Sequence, residues 1–98
     1  MKAMWLSARA NAGLSFPNLS RSHDATRRAV RFWGYESSIE VSFFVTERAL
    51  KHFDSGMNLE ERDFLDVFDR NRDAILAAAT RVYARGRRGS YELDAADF

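Results

Sequence analysis

Two neighbouring segments of the sequence alternate apolar and polar side chains, and this pattern constrains the fold more than any other feature. Residues 27–35 alternate, and so do residues 39–45. A period of two is typical of half-buried β-strands. Because only three polar residues, Glu36, Ser37 and Ser38, separate the segments, the sequence predicts an antiparallel hairpin over residues 27–45.

The period changes to a helical one after the hairpin. Thr46 is a suitable N-cap for a short helix over residues 47–53, with Glu47 and Lys51 paired on its outer side. Asn58, with Glu61 three residues later, resembles a capping box and predicts a long helix up to the stop at Gly86, where a positive φ is expected. Its apolar side chains recur at steps of three and four, in Phe64, Leu65, Phe68, Ile75, Leu76, Ala79, Val82 and Tyr83.

The remaining segments carry weaker signals. Residues 1–13 show no sustained period and predict a flexible N-terminal tail, whereas residues 14–98 predict one folded domain. Residues 14–16 are a candidate edge strand, residues 18–26 a polar turn region, residues 90–93 a short strand and residues 94–98 a second tail.

The predicted fold class is therefore α+β. It consists of a small antiparallel sheet built on the hairpin and packed against a short and a long helix, with a short C-terminal strand. The predicted core consists of Phe32, Val41, Phe43, Leu50, Phe53, Phe64, Phe68, Ile75, Leu76 and Tyr83.

Composition excludes several classes of function. The chain has 98 residues, enough for one core, and no cysteine, which excludes a disulfide scaffold, a cysteine zinc site and a thiol nucleophile. Its 15 Lys and Arg nearly balance its 14 Asp and Glu, so no strong overall field attracts DNA or a membrane. No segment approaches the ~18 apolar residues of a membrane span or forms a signal peptide, and the expected location is the cytoplasm.

Charge is arranged in blocks of opposite sign along the chain. Residues 1–53 carry 8 positive and 4 negative side chains, residues 54–75 carry 3 and 7, residues 76–90 carry 4 and 0, and residues 91–98 carry 0 and 3. Such blocks can pair within one chain or between two copies.

No catalytic or metal-binding constellation is visible in the sequence. His23 is expected in a turn with Asp24, and His52 on an exposed helix position. Neither histidine has a second one at ligand spacing, so we expect no enzyme activity, no metal and no cofactor. The acidic stripe of Asp63, Asp66, Asp69 and Asp73 alternates with arginines and is expected to be a solvated face.

The most suggestive feature is a set of arginines and aromatic residues on one side of the predicted sheet. The alternation places Arg27, Arg31, Trp33 and Tyr35 opposite Val30 and Phe32, and Phe44 joins them from the second strand. With Arg87 and Arg88, these residues form the candidate interaction surface. Aromatic rings stack on bases and arginines hold phosphates, so single-stranded nucleic acid is one candidate ligand.

A protein layer over the same surface is the other interpretation. The N-terminal segment with Trp5, or a second subunit, would then cover these side chains. The sequence Gly86-Arg87-Arg88-Gly89 resembles the backbone clamp of a KH domain. However, it follows a helix C-terminus, where the helix dipole disfavours a phosphate, and helix termination accounts for it.

Four spaced stretches resemble one family of short bacterial proteins, DUF1488 (domain of unknown function 1488). They are residues 15–18 (SFPN), 31–35 (RFWGY), 40–45 (EVSFFV) and 83–91 (YARGRRGSY). The resemblance begins at about Leu14 and implies a small α+β fold, with no activity, ligand or catalytic residue attached.

Taken together, the sequence predicts a non-enzymatic protein-interaction module, with a second copy of the chain as a candidate partner. Single-stranded nucleic-acid binding through the arginine and aromatic surface is the alternative, and no membrane partner is expected.

Overall fold

The predicted hairpin forms the centre of the sheet. A computed structural model describes residues 13–86 and 88–98, and there the hairpin strands are Ala29–Glu36 (β3) and Ile39–Thr46 (β4). They pair antiparallel from Ala29 opposite Thr46 to Glu36 opposite Ile39. The turn between them places Ser37 at a φ of 56°. The α+β class and the hairpin are confirmed.

Two short strands share the other edge of β3. Leu14–Ser15 (β1) is the predicted edge strand and pairs with the end of β3, whereas Arg21–Asp24 (β2) pairs with its beginning. The prediction of a turn region over residues 18–26 missed β2. Two contacts with the helical layer stabilise this polar strand: Arg21 pairs with Asp69 at 2.7 Å, and the His23 ring lies 4.6 Å from that of Phe64.

The sheet is mixed rather than wholly antiparallel, which corrects the prediction. Ser90–Leu93 (β5) is a strand, as expected, but it pairs parallel with β4. Between the two strands the chain passes through three helices, Glu47–Phe53 (α1), Glu61–Arg70 (α2) and Arg72–Ala84 (α3). A strand that returns after a helical crossover can run in the same direction as its neighbour, whereas a tight turn reverses it.

The predicted long helix is two helices that meet at Asn71. Asn71 has φ −120° and ψ 21°, and its side-chain amide donates to the Val67 carbonyl at 2.8 Å. This bond competes with the backbone ladder and interrupts the helix. The expected capping box at Asn58 is also wrong: α2 begins after Glu60, and the Asn58 N–H donates to the Asp63 carboxylate at 2.8 Å.

The short helix α1 follows the prediction. The Thr46 hydroxyl accepts a hydrogen bond from the Ala49 N–H at 3.1 Å, and Lys51 pairs with Glu47 at 2.9 Å. Both contacts join residues three or four positions apart, so the residue types and their spacing in the sequence are enough to predict them.

Residues 94–98, expected to be a tail, are held against α1. They form a 3₁₀ turn, Ala95–Asp97, in which Asp94 and Asp97 make a capping box. Arg48 donates to both carboxylate oxygens of Asp94, and the Phe98 ring lies 5.0 Å from that of Phe53. A charge pair and an aromatic pair therefore fix this segment.

The core lies between the sheet and the helices. All of its predicted members are buried except Phe53 and Leu76, which are partly buried. Phe32 and Phe43 stack at 5.3 Å between ring centroids, and Phe68 of α2 lies 5.2 Å from Phe32. The strand β5 adds Tyr91 and Leu93, which the prediction did not include.

Candidate interaction face of the sheet

The pairing register defines the side of the sheet opposite the core. Residues directly opposite one another on paired strands share a face. One row across the strands therefore holds Ser22, Arg31, Phe44 and Glu92, the next holds Trp33, Ser42 and Ser90, and the third holds Ser15, Tyr35 and Glu40. A further row on this side, Asp24, Ala29 and Thr46, lies at the end nearest α1, where Ala29 and Thr46 are buried. We call the ten residues of the first three rows the outer face.

Trp33 and Tyr35 lie where the alternation placed them. Both are half-buried, whereas Val30 and Phe32 on the same strand are buried in the core. The helical layer packs on the core side, where Phe68 meets Phe32. The separation of the two sets of side chains follows from a period of two along β3.

Arg31 links three residues of the outer face. Its guanidinium carbon lies 4.7 Å from the centroid of the Trp33 ring, in cation–π contact. One terminal nitrogen of Arg31 donates to the Glu40 carboxylate at 2.8 Å and to the Ser42 hydroxyl at 2.9 Å. The arginine is thus fixed along the face, and Glu40 neutralises its charge.

Arg27 covers a second aromatic ring of the same face. Its guanidinium carbon lies 4.0 Å from the centroid of the Phe44 ring, and Phe44 is 7 % exposed. The Arg27 backbone N–H donates to Asp24 at 3.0 Å, but the side-chain Nε is 3.7 Å from that carboxylate. Phe44 therefore lies on the predicted face and is nevertheless buried.

The candidate surface also included two C-terminal arginines, Arg87 and Arg88. Arg87 lies outside the described residues. Arg88 is exposed in the loop before β5, and it lines a shallow cleft with Glu92 at the end of α3.

The expected positive φ at Gly86 is wrong. The helix ends with Arg85 in the right-handed region, and the Tyr91 hydroxyl donates to the Gly86 carbonyl at 3.0 Å. This hydroxyl also accepts from the Arg88 N–H at 2.6 Å. Because Tyr91 satisfies these backbone groups, the helix end needs no left-handed residue.

The blocks of opposite charge pair within the chain. Arg21 pairs with Asp69, Arg48 with Asp94, and Arg85 lies 3.8 Å from Asp97. The hydrogen bond from Arg21 holds the pKa of Asp69 below its ordinary value, and the one from Arg48 lowers the pKa of Asp94. From the sequence, these charges could have paired within one chain or between two copies; in the structure they pair within one chain.

The two histidines lie on different elements of the fold. His52 is exposed, as predicted, but His23 lies on β2 against Phe64 and not in a turn. Over residues 13–86 and 88–98, no three His, Asp or Glu side chains converge as metal ligands would. Within the same ranges, no helix has the length and apolar character needed to cross a bilayer.

The predicted surface left out six residues of the outer face, namely Ser15, Ser22, Glu40, Ser42, Ser90 and Glu92. Of these six, Glu40 and Ser42 contact Arg31. Both hold Arg31 in place. Once Glu36 is assigned to the end of the first strand, the register aligns Ser42 with Trp33 and Glu40 with Tyr35. The polar positions of the second hairpin strand therefore indicate which residues share a face with Trp33 and Tyr35.

The fold places the chain among small two-layer α+β proteins, with helices on one side of the sheet. On the other side, this chain carries arginines paired with aromatic rings. The chain belongs to the DUF1488 family, described as proteins of unknown function, whose family model matches residues 14–93. The resemblance noted in the sequence is thereby confirmed.

A solved structure shares this fold. It is the crystal structure of a protein of unknown function from the DUF1488 family of Shewanella loihica PV-4, with a TM-score of 0.74. The two chains are 14 % identical, and the alignment covers 84 % of this chain and 92 % of that one. No curated protein matches the chain.

Proposed function

We propose that the protein is a non-enzymatic interaction module whose outer face binds a second copy of the chain. The observation that carries the proposal is the set of Arg31, Trp33 and Tyr35 at alternate positions of β3, with Arg31 over the Trp33 ring and both aromatic residues half-buried. Trp, Tyr and Arg are the residue types enriched among the energetically important residues of protein interfaces. The serines and glutamates around them correspond to the polar rim of such interfaces.

The charges on the outer face favour a copy of the same chain as the partner. Arg31 lies on this face together with Glu40 and Glu92. A face with both signs can be complementary to itself, because a two-fold dimer brings the same patch from both subunits together. A partner of one sign would meet repulsion from the groups of that sign.

The area of the face predicts a weak dimer. Strands of eight residues are about 26 Å long, and four strands side by side are about 19 Å wide. Each copy would bury roughly 500 Å², about 1,000 Å² in total, which is at the lower limit for a specific interface. We therefore expect association that depends on concentration over the micromolar range and above.

Sedimentation velocity of the full chain over a concentration series tests the proposal. We expect the wild type to associate and Trp33→Ser to abolish association, because the central ring is lost. Leu59→Ser is the matched control: it removes another exposed apolar side chain, just before α2, and should leave association unchanged. A wild type that stays monomeric throughout, or two variants that weaken association equally, would contradict the proposal.

Single-stranded nucleic acid is the second candidate, since Arg31 and Trp33 are the groups that such a ligand uses. The contacts favour it less. Arg31 already occupies the Trp33 ring and pairs with Glu40, and Glu92 adds a second carboxylate to the face.

Fluorescence anisotropy with a labelled oligonucleotide separates the two candidates. We expect the anisotropy of the oligonucleotide to stay unchanged when the protein is added, even at low salt. Binding that weakens steeply with salt and is lost in Trp33→Ser would indicate that the ligand of this face is a nucleic acid and not a second copy of the chain.

A further inference from the structure

The two arginine–aromatic pairs of the outer face differ in how their arginines are held. Arg31 makes two hydrogen bonds of 2.8 and 2.9 Å through its guanidinium, in addition to its contact with Trp33. The Arg27 side chain is 55 % exposed, and its nearest carboxylate oxygen lies 3.7 Å away, beyond hydrogen-bond distance. Among the described residues, the Arg27 side chain is therefore held only by a long ion pair with Asp24 and by the Phe44 ring, whose centroid lies 4.0 Å from the guanidinium carbon.

The backbone that carries Arg27 is anchored independently of this side chain. In the turn between β2 and β3, the next residue, Arg28, has a φ of 53°. The Arg28 carbonyl accepts from the Glu47 N–H at 2.9 Å, and the Arg28 Nε donates to the Glu47 carboxylate at 2.7 Å. The Arg27 side chain can therefore rotate without opening the turn.

There is room for such a rotation. Arg27 borders an open cleft whose other lining residues are two arginines, two glutamates and a threonine: Arg28, Arg48, Glu47, Glu92 and Thr46. A guanidinium that leaves the ring is hydrated in this cleft, while its aliphatic stem keeps apolar contact.

We infer that Arg27 is a movable cover over Phe44, and that docking of the second copy displaces it. The inference rests on the proposed self-association and specifies its mechanism. Phe44 pairs with Arg31 and is therefore the diagonal neighbour of Trp33, a distance that aromatic side chains bridge. When Arg27 rotates away, the Phe44 ring becomes accessible beside Trp33, and an apolar side chain of the partner copy contacts it.

Removal of the cover should tighten the dimer. A cation–π contact at an exposed site is weak, so Arg27→Ala should lower the dimer dissociation constant by about two- to fivefold in sedimentation velocity. Arg27→Lys retains a cation over the ring and should stay near the wild type. Arg62→Ala, which removes the same charge from an exposed position of α2, should have no effect.

An unchanged or raised dissociation constant in Arg27→Ala would overturn the inference. So would an equal tightening in Arg62→Ala, because the effect would then come from net charge.

A second measurement examines the cover in the monomer. Nitrogen-15 relaxation of the arginine Nε–H groups in dilute protein should show a rigid Arg31 and an Arg27 that moves on the nanosecond timescale. Equal rigidity of the two groups would overturn the inference even in a chain that dimerises. A wild type without association at any concentration would overturn the proposed function, whatever the relaxation shows.

Discussion

The two faces of the sheet carry aromatic side chains from the same two strands, yet different groups cover them. On the core side, Phe32 and Phe43 stack on each other and meet Phe68 from α2. On the outer face, Trp33 and Phe44 are covered by the guanidinium groups of Arg31 and Arg27. Arginine can lie on an aromatic ring and remain in water, whereas a phenylalanine from a helix cannot.

This difference shows that burial on the two faces has different consequences. A ring beneath a helix is buried permanently, because its exposure requires unfolding. A ring beneath an arginine is separated from solvent by a flexible side chain. Phe43 and Phe44, adjacent in sequence, are both buried, but only Phe44 lies beneath an arginine side chain.

The largest expected effect is on the core side. Phe68→Ala leaves a cavity at a fully buried position and should reduce the free energy of unfolding by about 3–5 kcal/mol. Urea denaturation measures the change. A loss below about 1 kcal/mol would mean that the helical layer repacks freely, and the contrast between the faces would disappear.

The next effect concerns a close approach on the core side. A Cβ at Gly34 would lie 2.6 Å from the Ser15 carbonyl oxygen and 2.9 Å from the Phe16 ring. Gly34→Ala should therefore displace β1 and reduce the free energy of unfolding by about 1–3 kcal/mol. Gly89→Ala, where a Cβ would meet nothing within 4 Å, is the control and should stay within about 0.5 kcal/mol of the wild type in the same denaturation experiment.

Trp33→Ser measures how much an aromatic residue of the outer face contributes to stability, for comparison with Phe68 on the core side. The ring is half-buried and loses one cation–π contact, so we expect a decrease of about 1 kcal/mol in the free energy of unfolding. Denaturation at protein concentrations too low for association measures the stability of the monomer alone. A loss as large as that of Phe68→Ala would show that Trp33 is a core residue and not an interface residue.

A smaller effect is expected at the hairpin turn, which decides which residues fall on which face. Ser37 has a φ of 56°, a conformation that glycine adopts more easily. Ser37→Gly should therefore raise the free energy of unfolding by about 0.5 kcal/mol, whereas Ser38→Gly, without a positive φ, should lower it. Thermal unfolding of the two variants distinguishes these signs, and a rise in both would contradict the turn geometry.

The smallest expected effect is the acid dependence of stability, from ion pairs that are partly exposed. Hydrogen bonds from Arg21 and Arg48 lower the folded-state pKa of Asp69 and Asp94. Their stabilisation is present above the unfolded pKa of about 4 and is lost as the pH falls through the lower folded values. The free energy of unfolding should be level from neutral pH to about pH 5 and decrease below about pH 4.

Asp69→Asn tests whether the Arg21–Asp69 pair contributes to this decrease in stability at acid pH. The variant should be slightly less stable at neutral pH and lose less stability on acidification than the wild type. Equal slopes would assign the acid sensitivity to other carboxylates.

Local signals in the sequence predicted much of this fold. Thr46 caps α1 through a contact three residues away, and the short spacing between β3 and β4 leaves a hairpin as the economical connection. The alternation along β3 placed Arg31, Trp33 and Tyr35 together because the strand period is fixed by the backbone.

The features that the sequence did not reveal depend on distant partners. β2 is stabilised by Asp69 of α2, and the end of α3 by the Tyr91 hydroxyl of β5. Residues 94–98 are fixed by Arg48, far away in the chain. Neither propensity nor spacing encodes which of several acidic side chains meets a given arginine.

The parallel position of β5 has a consequence for folding order. We expect the hairpin of β3 and β4 to close first, on a timescale of about microseconds, and β5 to pair with β4 later, because three helices separate these two strands along the chain. Until that happens, β4 offers an unpaired edge to other molecules. Aggregation during refolding should therefore originate at β4, and conditions that accelerate helix docking should suppress it.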